Sequence, residues 1–215
     1  MSPRPKLVKK SSSLGPVPVF ELKITLRGIR PPIWRRIRVG GHHTLAEFHE
    51  ILQEVIGWTS THLHQFEIAG RYFVPMSVED EELDIEGDES AITLAEALRL
   101  AGKNFRYDYD FGDGWEHTIQ VEKVLPAEVQ PPVPVCLAGA RRCPPEDCGG
   151  PYGYQELLEA LRDPSNPQHT EMREWVTDLY GSEARFNPEA FSIETVNESL
   201  QQLAKRKPHR ISTRR

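Results

Sequence analysis

Between residues 20 and 27 apolar and polar positions alternate. Phe20, Leu22, Ile24 and Leu26 share one side, and Glu21, Lys23, Thr25 and Arg27 the other. A two-residue period belongs to a strand with one buried face. After a turn through Gly28, Pro31 and Pro32, residues 33–39 predict a second strand. The period then changes: Leu45, Phe48, Leu52, Val55 and Ile56 recur at helical spacing, Thr44 and Glu47 form a capping box, and Gly57 is the stop. This is a core helix. Residues 62–74 read as a hairpin turning at Ala69 and Gly70, and residues 78–90 as an acidic surface loop. Thr93 with Glu96 opens a second helix that stops at Gly102.

Residues 107–122, YDYDFGDGWEHTIQVE, form the densest pattern in the chain. A two-residue loop at Asp113 and Gly114 would mix aromatic and polar side chains on both faces. A three-residue loop at 112–114 sets Phe111 against Trp115, Tyr109 against His117, Tyr107 against Ile119 and Phe105 against Val121. That gives one continuous apolar face, and Gly114 supplies the left-handed residue such loops require. The same register puts Asp110 opposite Glu116, with Asp108 one pair away and Asp113 at the tip. Like charges directly opposed are destabilising, so solvent, a bound cation or an arginine must offset them. The dense basic cluster is Arg27, Arg30, Arg35, Arg36 and Arg38, of which Arg36 and Arg38 share Trp34's side of their strand. They are candidate partners of those acids or of an anionic ligand. His117 reads as a hydrogen-bonded core histidine.

Residues 125–154 are rich in proline and glycine, which predicts an irregular segment fixed by its contacts. Its 131–154 part is expected to be ordered against the hairpin, with Glu146 and Asp147 accepting backbone hydrogen bonds or capping the following helix. Three helices follow, at about 154–163, 169–181 and 192–205, broken by Pro164, Pro167 and Pro188. Strands first and helices later describe an α+β fold: a single domain, a mixed or antiparallel sheet of hairpins, one core helix crossing it, and three C-terminal helices. The domain spans 18–204, between a basic lead at 1–17 and a basic tail at 205–215, both read as flexible.

Charge refines this. The chain carries 26 lysines and arginines against 32 acids. Ten of those cations lie in residues 1–10 and 205–215, which leaves 16 against 32 in the body. An acidic body repels phosphate backbones, so nucleic-acid contact is expected only as a weak, non-specific attraction through the tails. No apolar run reaches membrane-spanning length, and the basic N-terminus lacks the apolar stretch of a signal peptide. Three cysteines without a secretion signal point to the cytoplasm.

Cys136, Cys143 and Cys148, spaced C-x6-C-x4-C on the proline and glycine segment, are candidates for a structural zinc site, with His117 or His169 as a fourth ligand. Free thiols are the plainer alternative. A hydrolytic site would combine Asp110, Asp113, Glu116 and His117 with Glu146 and Asp147 around a metal. In the register above, however, the acids and His117 point to opposite faces. No G-x-S-x-G nucleophile motif is present.

YDYDFGDGWEHTIQVE followed by CLAGARRCPPEDCGGPYGY, with IRPPIWRRIRV and LHQFEI upstream, resembles the Ri-plasmid ORF-3-like family from about Phe20 to beyond Tyr180. The resemblance implies a single α+β domain found on plasmids and mobile elements, with no established activity. Some members carry a resolvase-like label, but no resolvase serine motif or helix-turn-helix signature is found here. The family's motif positions fall on Tyr109, Asp110, Phe111, Gly112, Asp113, Trp115 and His117, then on Pro144, Pro145, Glu146, Asp147, Gly149, Gly150, Gly153 and Tyr154. The expected function is a non-catalytic binding or scaffolding module for a protein or nucleic-acid partner. The alternative is a metal-assisted hydrolase of nucleic acid or another phosphate substrate.

Overall fold

A computed structural model describes residues 16–75, 85–128, 133–182 and 186–206. The elements run β1 (Val17–Leu26), β2 (Ile33–Gly40), α1 (Leu45–Ile56), β3 (His64–Ile68), β4 (Arg71–Val74), β5 (Ile85–Asp88), α2 (Leu94–Ala101), β6 (Asn104–Tyr109), β7 (Trp115–Glu128), β8 (Val135–Ala140), α3 (Gly150–Arg162), α4 (His169–Tyr180) and α5 (Ile193–Lys205). The strands form one eight-stranded sheet in the order β5-β4-β3-β6-β7-β1-β2-β8. All neighbours are antiparallel except β4 and β5, so the fold is α+β with a mixed sheet. Among the described residues no helix is long and apolar enough to cross a membrane. The parts of the basic lead and tail at 1–15 and 207–215 lie outside the described residues, as do 78–84 of the expected acidic loop, whose 85–88 part forms strand β5 instead of loop.

Register carries the two-residue alternation of β1 across the sheet. Leu22 sits between Ile37 and Val121, and Ile24 between Arg35 and Ile119. The buried face so made is covered by α1, whose Phe48 meets Phe66 and Phe105. Both halves of the Thr44–Glu47 capping box are formed, and Gly57 closes the helix in the left-handed conformation. Such a cap contributes about 1 kcal/mol; burying Leu45, Phe48, Ile51, Leu52, Val55 and Ile56 decides where the helix sits. α5 packs on α1 and β8, and α2 on β3 and β6. The opposite sheet face stays polar. There Arg27 meets Glu116 at 2.7 Å, Arg36 meets Glu122, and Glu21 is held between Arg38 at 2.7 Å and Lys123 at 2.8 Å.

Two further expectations need correction. The hairpin pairs Tyr109 with Trp115, Tyr107 with His117 and Phe105 with Ile119, so its loop has five residues, 110–114, rather than three. Asp110 causes this by taking φ 56° and leaving the ladder. Its carbonyl accepts the Gly114 N–H at 2.6 Å, and its Oδ1 accepts the Gly112 and Asp113 N–H groups at 3.0 and 3.3 Å. A slip of two residues preserves which side chains share a face. Phe105, Tyr107, Tyr109, Trp115 and Ile119 are all buried, but Phe111 is lifted into the loop and is 47% exposed. Asp108, not Asp110, therefore faces Glu116. The second correction is that the proline and glycine segment contains a strand: β8 pairs with β2 through Trp34↔Ala140 to Arg38↔Val135.

Candidate functional site

Three loops meet at the end of β6: residues 57–63 after α1, residues 110–114 of the hairpin, and residues 141–149 before α3. Glu146 fastens them. Its Oε1 accepts the Tyr109 hydroxyl at 2.6 Å, and its Oε2 accepts the Thr59 hydroxyl at 2.6 Å and the Thr59 N–H at 3.0 Å. Trp58 stacks on Tyr109 with ring centroids 5.0 Å apart and donates its indole N–H to the Pro144 carbonyl at 2.8 Å. The Tyr109 hydroxyl also accepts the Thr61 N–H at 3.1 Å. Burial first, and the adjacent Glu146 second, push the Tyr109 phenol up to about 12. It stays protonated and keeps donating.

The 110–114 loop is joined to 147–149 as well. Asp113 Oδ2 accepts the Gly149 N–H at 3.2 Å, and the backbones approach closely enough that a Cβ on Gly150 would stand 2.1 Å from the Asp113 carbonyl oxygen. His62 lies between the two loops, with Nδ1 3.6 Å from Asp110 Oδ2 and Nε2 3.2 Å from Asp147 Oδ1. Among the described residues five non-glycine residues have positive φ, and four of them lie on these loops: Ser60, Asp110, Arg141 and Asp147. Such conformations cost of order 1–3 kcal/mol and persist where surrounding contacts over-determine them.

A buried polar network supports the junction from below. The Tyr107 hydroxyl meets His49 Nδ1 at 2.7 Å and accepts from Gln53 at 2.9 Å. Gln53 Oε1 in turn accepts the Ser60 N–H at 3.0 Å, while His49 Nε2 meets the Ser60 hydroxyl. His49 stacks on His64 at 3.5 Å, and His64 pairs with Glu89 at 2.8 Å. Desolvation, helped by His64, lowers the His49 pKa to about 3, so its ring is neutral.

Of the residues singled out from sequence, Asp110, Asp113, Glu146 and Asp147 come together here. Arg36 and Arg38 do not: they pair with Glu122 and Glu21 on the open face. Glu116 also lies there on Arg27. Asp108 accepts from Gln65 at 3.0 Å, and burial raises its pKa. His117 is a core residue whose Nδ1 meets the Tyr107 carbonyl at 3.2 Å; burial lowers its pKa to about 4. His169 is engaged by the Ala160 carbonyl at 2.7 Å.

The cysteines do not converge. Among the described residues the one metal-capable group of three is His62, Asp110 and Asp147, whose ligand atoms lie within 4.8 Å of one another. Cys143 Sγ instead accepts from Arg35 at 3.4 Å, and Cys136 Sγ faces the Ala138 carbonyl at 3.5 Å. Burial raises all three thiol pKa values, that of Cys148 to about 12 with Asp113 adding to the effect. Neutral thiols are poor nucleophiles and poor metal ligands.

Beside the junction, α3 and α4 enclose a cleft of about 310 Å³ that Asp147 borders. Leu157, Met172 and Trp175 form its apolar floor, and Asp147, Glu156 and Glu171 its acidic rim.

The two motifs of the hairpin and of 144–154 thus form a single structural unit. The plasmid pRiA4b ORF-3-like family model matches residues 18–195. The chain belongs to that family. It is 40% identical over 188 residues to the uncharacterized protein y4hQ of Sinorhizobium fredii (strain NBRC 101917 / NGR234), covering 86% of this chain and 92% of that protein. A protein of unknown function from Methanosarcina mazei Go1, MM3350, has a similar crystal structure. Its TM-score is 0.71 at 34% identity, covering 83% of this chain and 97% of that one. Neither likeness brings a reaction with it.

Proposed function

We propose that this pRiA4b ORF-3-like protein is a non-catalytic binding module whose cleft between α3 and α4 takes basic side chains of a polypeptide partner. The observation that carries this is the lining of the cleft: an apolar and aromatic floor under three carboxylates, with no lysine or arginine among its described lining residues. Lysine and arginine carry an apolar stem and a cationic head, and a tryptophan face attracts the head. The volume suits one or two such side chains rather than a large cofactor. The acidic body disfavours phosphate ligands, and on the open sheet face the arginines Arg27, Arg36 and Arg38 are occupied by carboxylates. Three free cysteines, two of them buried, agree with a reducing cytoplasm as the working compartment, and the family name with carriage on plasmids.

Calorimetric titration with hexa-arginine, against hexaglutamate as control, tests this. We expect binding that weakens with salt and falls by about three- to tenfold in Glu156→Gln/Glu171→Gln. No binding of hexa-arginine, or tighter binding of duplex DNA, overturns it.

The alternative, a metal-assisted hydrolase of a phosphate substrate, has one observation in its favour, the convergence of His62, Asp110 and Asp147. Asp113 and Glu146 beside them would repel the substrate's charge.

A further inference from the structure

We propose that His62, Asp110 and Asp147 form a binding site for one divalent first-row transition metal ion, which clasps the hairpin loop to the loop before α3. The site is built from side chains that are otherwise incompletely used. Asp110 has a side chain only 10% exposed. Its Oδ1 is committed to two backbone N–H groups, which orients Oδ2 toward His62 Nδ1 at 3.6 Å, beyond a hydrogen bond. His62 Nε2 is buried and makes no aligned hydrogen bond, although Asp147 Oδ1 is 3.2 Å away. Asp110 Oδ2 thus faces Nδ1 and Asp147 Oδ1 faces Nε2, the buried Nε2 has no aligned partner, and one ligand atom from each of the three residues lies within 4.8 Å of the others.

A shared cation resolves that arrangement. An ion bonded at ~2.1 Å to both His62 Nε2 and Asp147 Oδ1 would hold them at roughly 100°, within the range of tetrahedral and octahedral sites. One imidazole with two carboxylates suits Mn²⁺, Fe²⁺, Co²⁺ or Zn²⁺ better than Ca²⁺ or Mg²⁺, which favour all-oxygen shells. Two carboxylates and a neutral imidazole neutralise a divalent charge, and water would complete the coordination. The positive φ angles of Asp110 (56°) and Asp147 (60°) aim both carboxylates inward from separate loops. The cysteines have no part in the site.

This proposal stands independently of the peptide cleft, although Asp147 borders both. The experiment uses the full chain, stripped with chelator and titrated by calorimetry with Mn²⁺, Zn²⁺, Mg²⁺ and Ca²⁺ and followed by absorbance with Co²⁺. One Mn²⁺ or Zn²⁺ per chain is expected, with a Co²⁺ spectrum that lacks the thiolate charge-transfer band. His62→Gln and Asp147→Asn should each weaken binding tenfold or more. Asp147 is largely exposed, and asparagine tolerates its backbone conformation, so D147N keeps the test decisive should other variants fail to fold. Glu171→Gln should leave metal binding intact while weakening hexa-arginine, which separates the two readings. Any of four results overturns the proposal: no metal bound, affinity unchanged in H62Q and D147N, a thiolate band with Co²⁺, or Ca²⁺ or Mg²⁺ bound more tightly than Mn²⁺ and Zn²⁺.

Discussion

The Tyr109 hydroxyl donates to Glu146 Oε1 at 2.6 Å, joining the last residue of β6 to a loop that begins beyond β8. Because Glu146 also takes both polar hydrogens of Thr59, this one carboxylate holds two loops against the sheet. Hydrogen bonds to charged groups contribute more than neutral ones, and removing one partner leaves the other to be desolvated without compensation.

Tyr109→Phe should therefore lower unfolding free energy by about 1–3 kcal/mol, since the Thr61 N–H and Glu146 both lose a partner. Urea unfolding measures the loss. Amide exchange should accelerate at 59–62 and 144–149 more than in α5.

Stability should fall as pH drops below neutral. His117 and His49 have folded pKa values lowered to about 4 and about 3, from an ordinary 6.5. Between pH 6.5 and 4 the unfolded chain binds protons that the folded chain refuses, so stability rises with pH across that window. The slope is up to about 1.4 kcal/mol per pH unit for each histidine. His117→Phe should flatten the profile by close to one proton's worth; an unchanged slope in denaturant melts at pH 4.5, 5.5 and 6.5 would contradict this account.

Gly150 and Gly153 differ sharply from Gly57 in what they tolerate. A Cβ at Gly150 would meet the Asp113 carbonyl oxygen at 2.1 Å, and one at Gly153 the Cys148 carbonyl oxygen at 2.0 Å, so backbone must move. Gly57 shares a positive φ but faces open space. Gly150→Ala and Gly153→Ala should each cost more than about 2 kcal/mol, and Gly57→Ala about 1 kcal/mol. Thermal melts of the three variants give the ranking.

Much of this architecture is legible in the residues. Thr44 with Glu47 and Thr93 with Glu96 announce the starts of α1 and α2, because a capping box is local chemistry. The apolar face of the central hairpin survives an error in loop length because its period is two. The loop itself was illegible: a three-residue glycine loop and a five-residue loop keyed by Asp110 at φ 56° compete on terms that depend on Leu63, whose carbonyl accepts the Asp110 N–H at 2.8 Å. His62 is hidden for a similar reason. In sequence it is one histidine at the start of a strand pattern, and its partners lie far along the chain. The cysteine spacing pointed the wrong way, since spacing says nothing about where side chains face once β8 joins the sheet.

The outer edge of β8 is closed by a side chain. Asn197 of α5 accepts the Cys136 N–H at 2.7 Å and donates to the Cys136 carbonyl at 3.1 Å, mimicking a neighbouring strand. An open edge invites pairing with another chain. Asn197→Ala should destabilise by about 1–3 kcal/mol and promote self-association, read by light scattering against the parent protein.

The fastening by Glu146 also bears on how the protein is made. Trp58 and Pro144 are 86 residues apart and Thr59 and Glu146 are 87, so the junction draws on segments that emerge from synthesis far apart in time. Contacts of such separation form late because the intervening chain must first be ordered. A nascent chain that has completed the hairpin but not residues 141–149 holds His62 and Asp110 without their third partner. The metal site proposed at this junction therefore assembles only after residues 141–149 have docked.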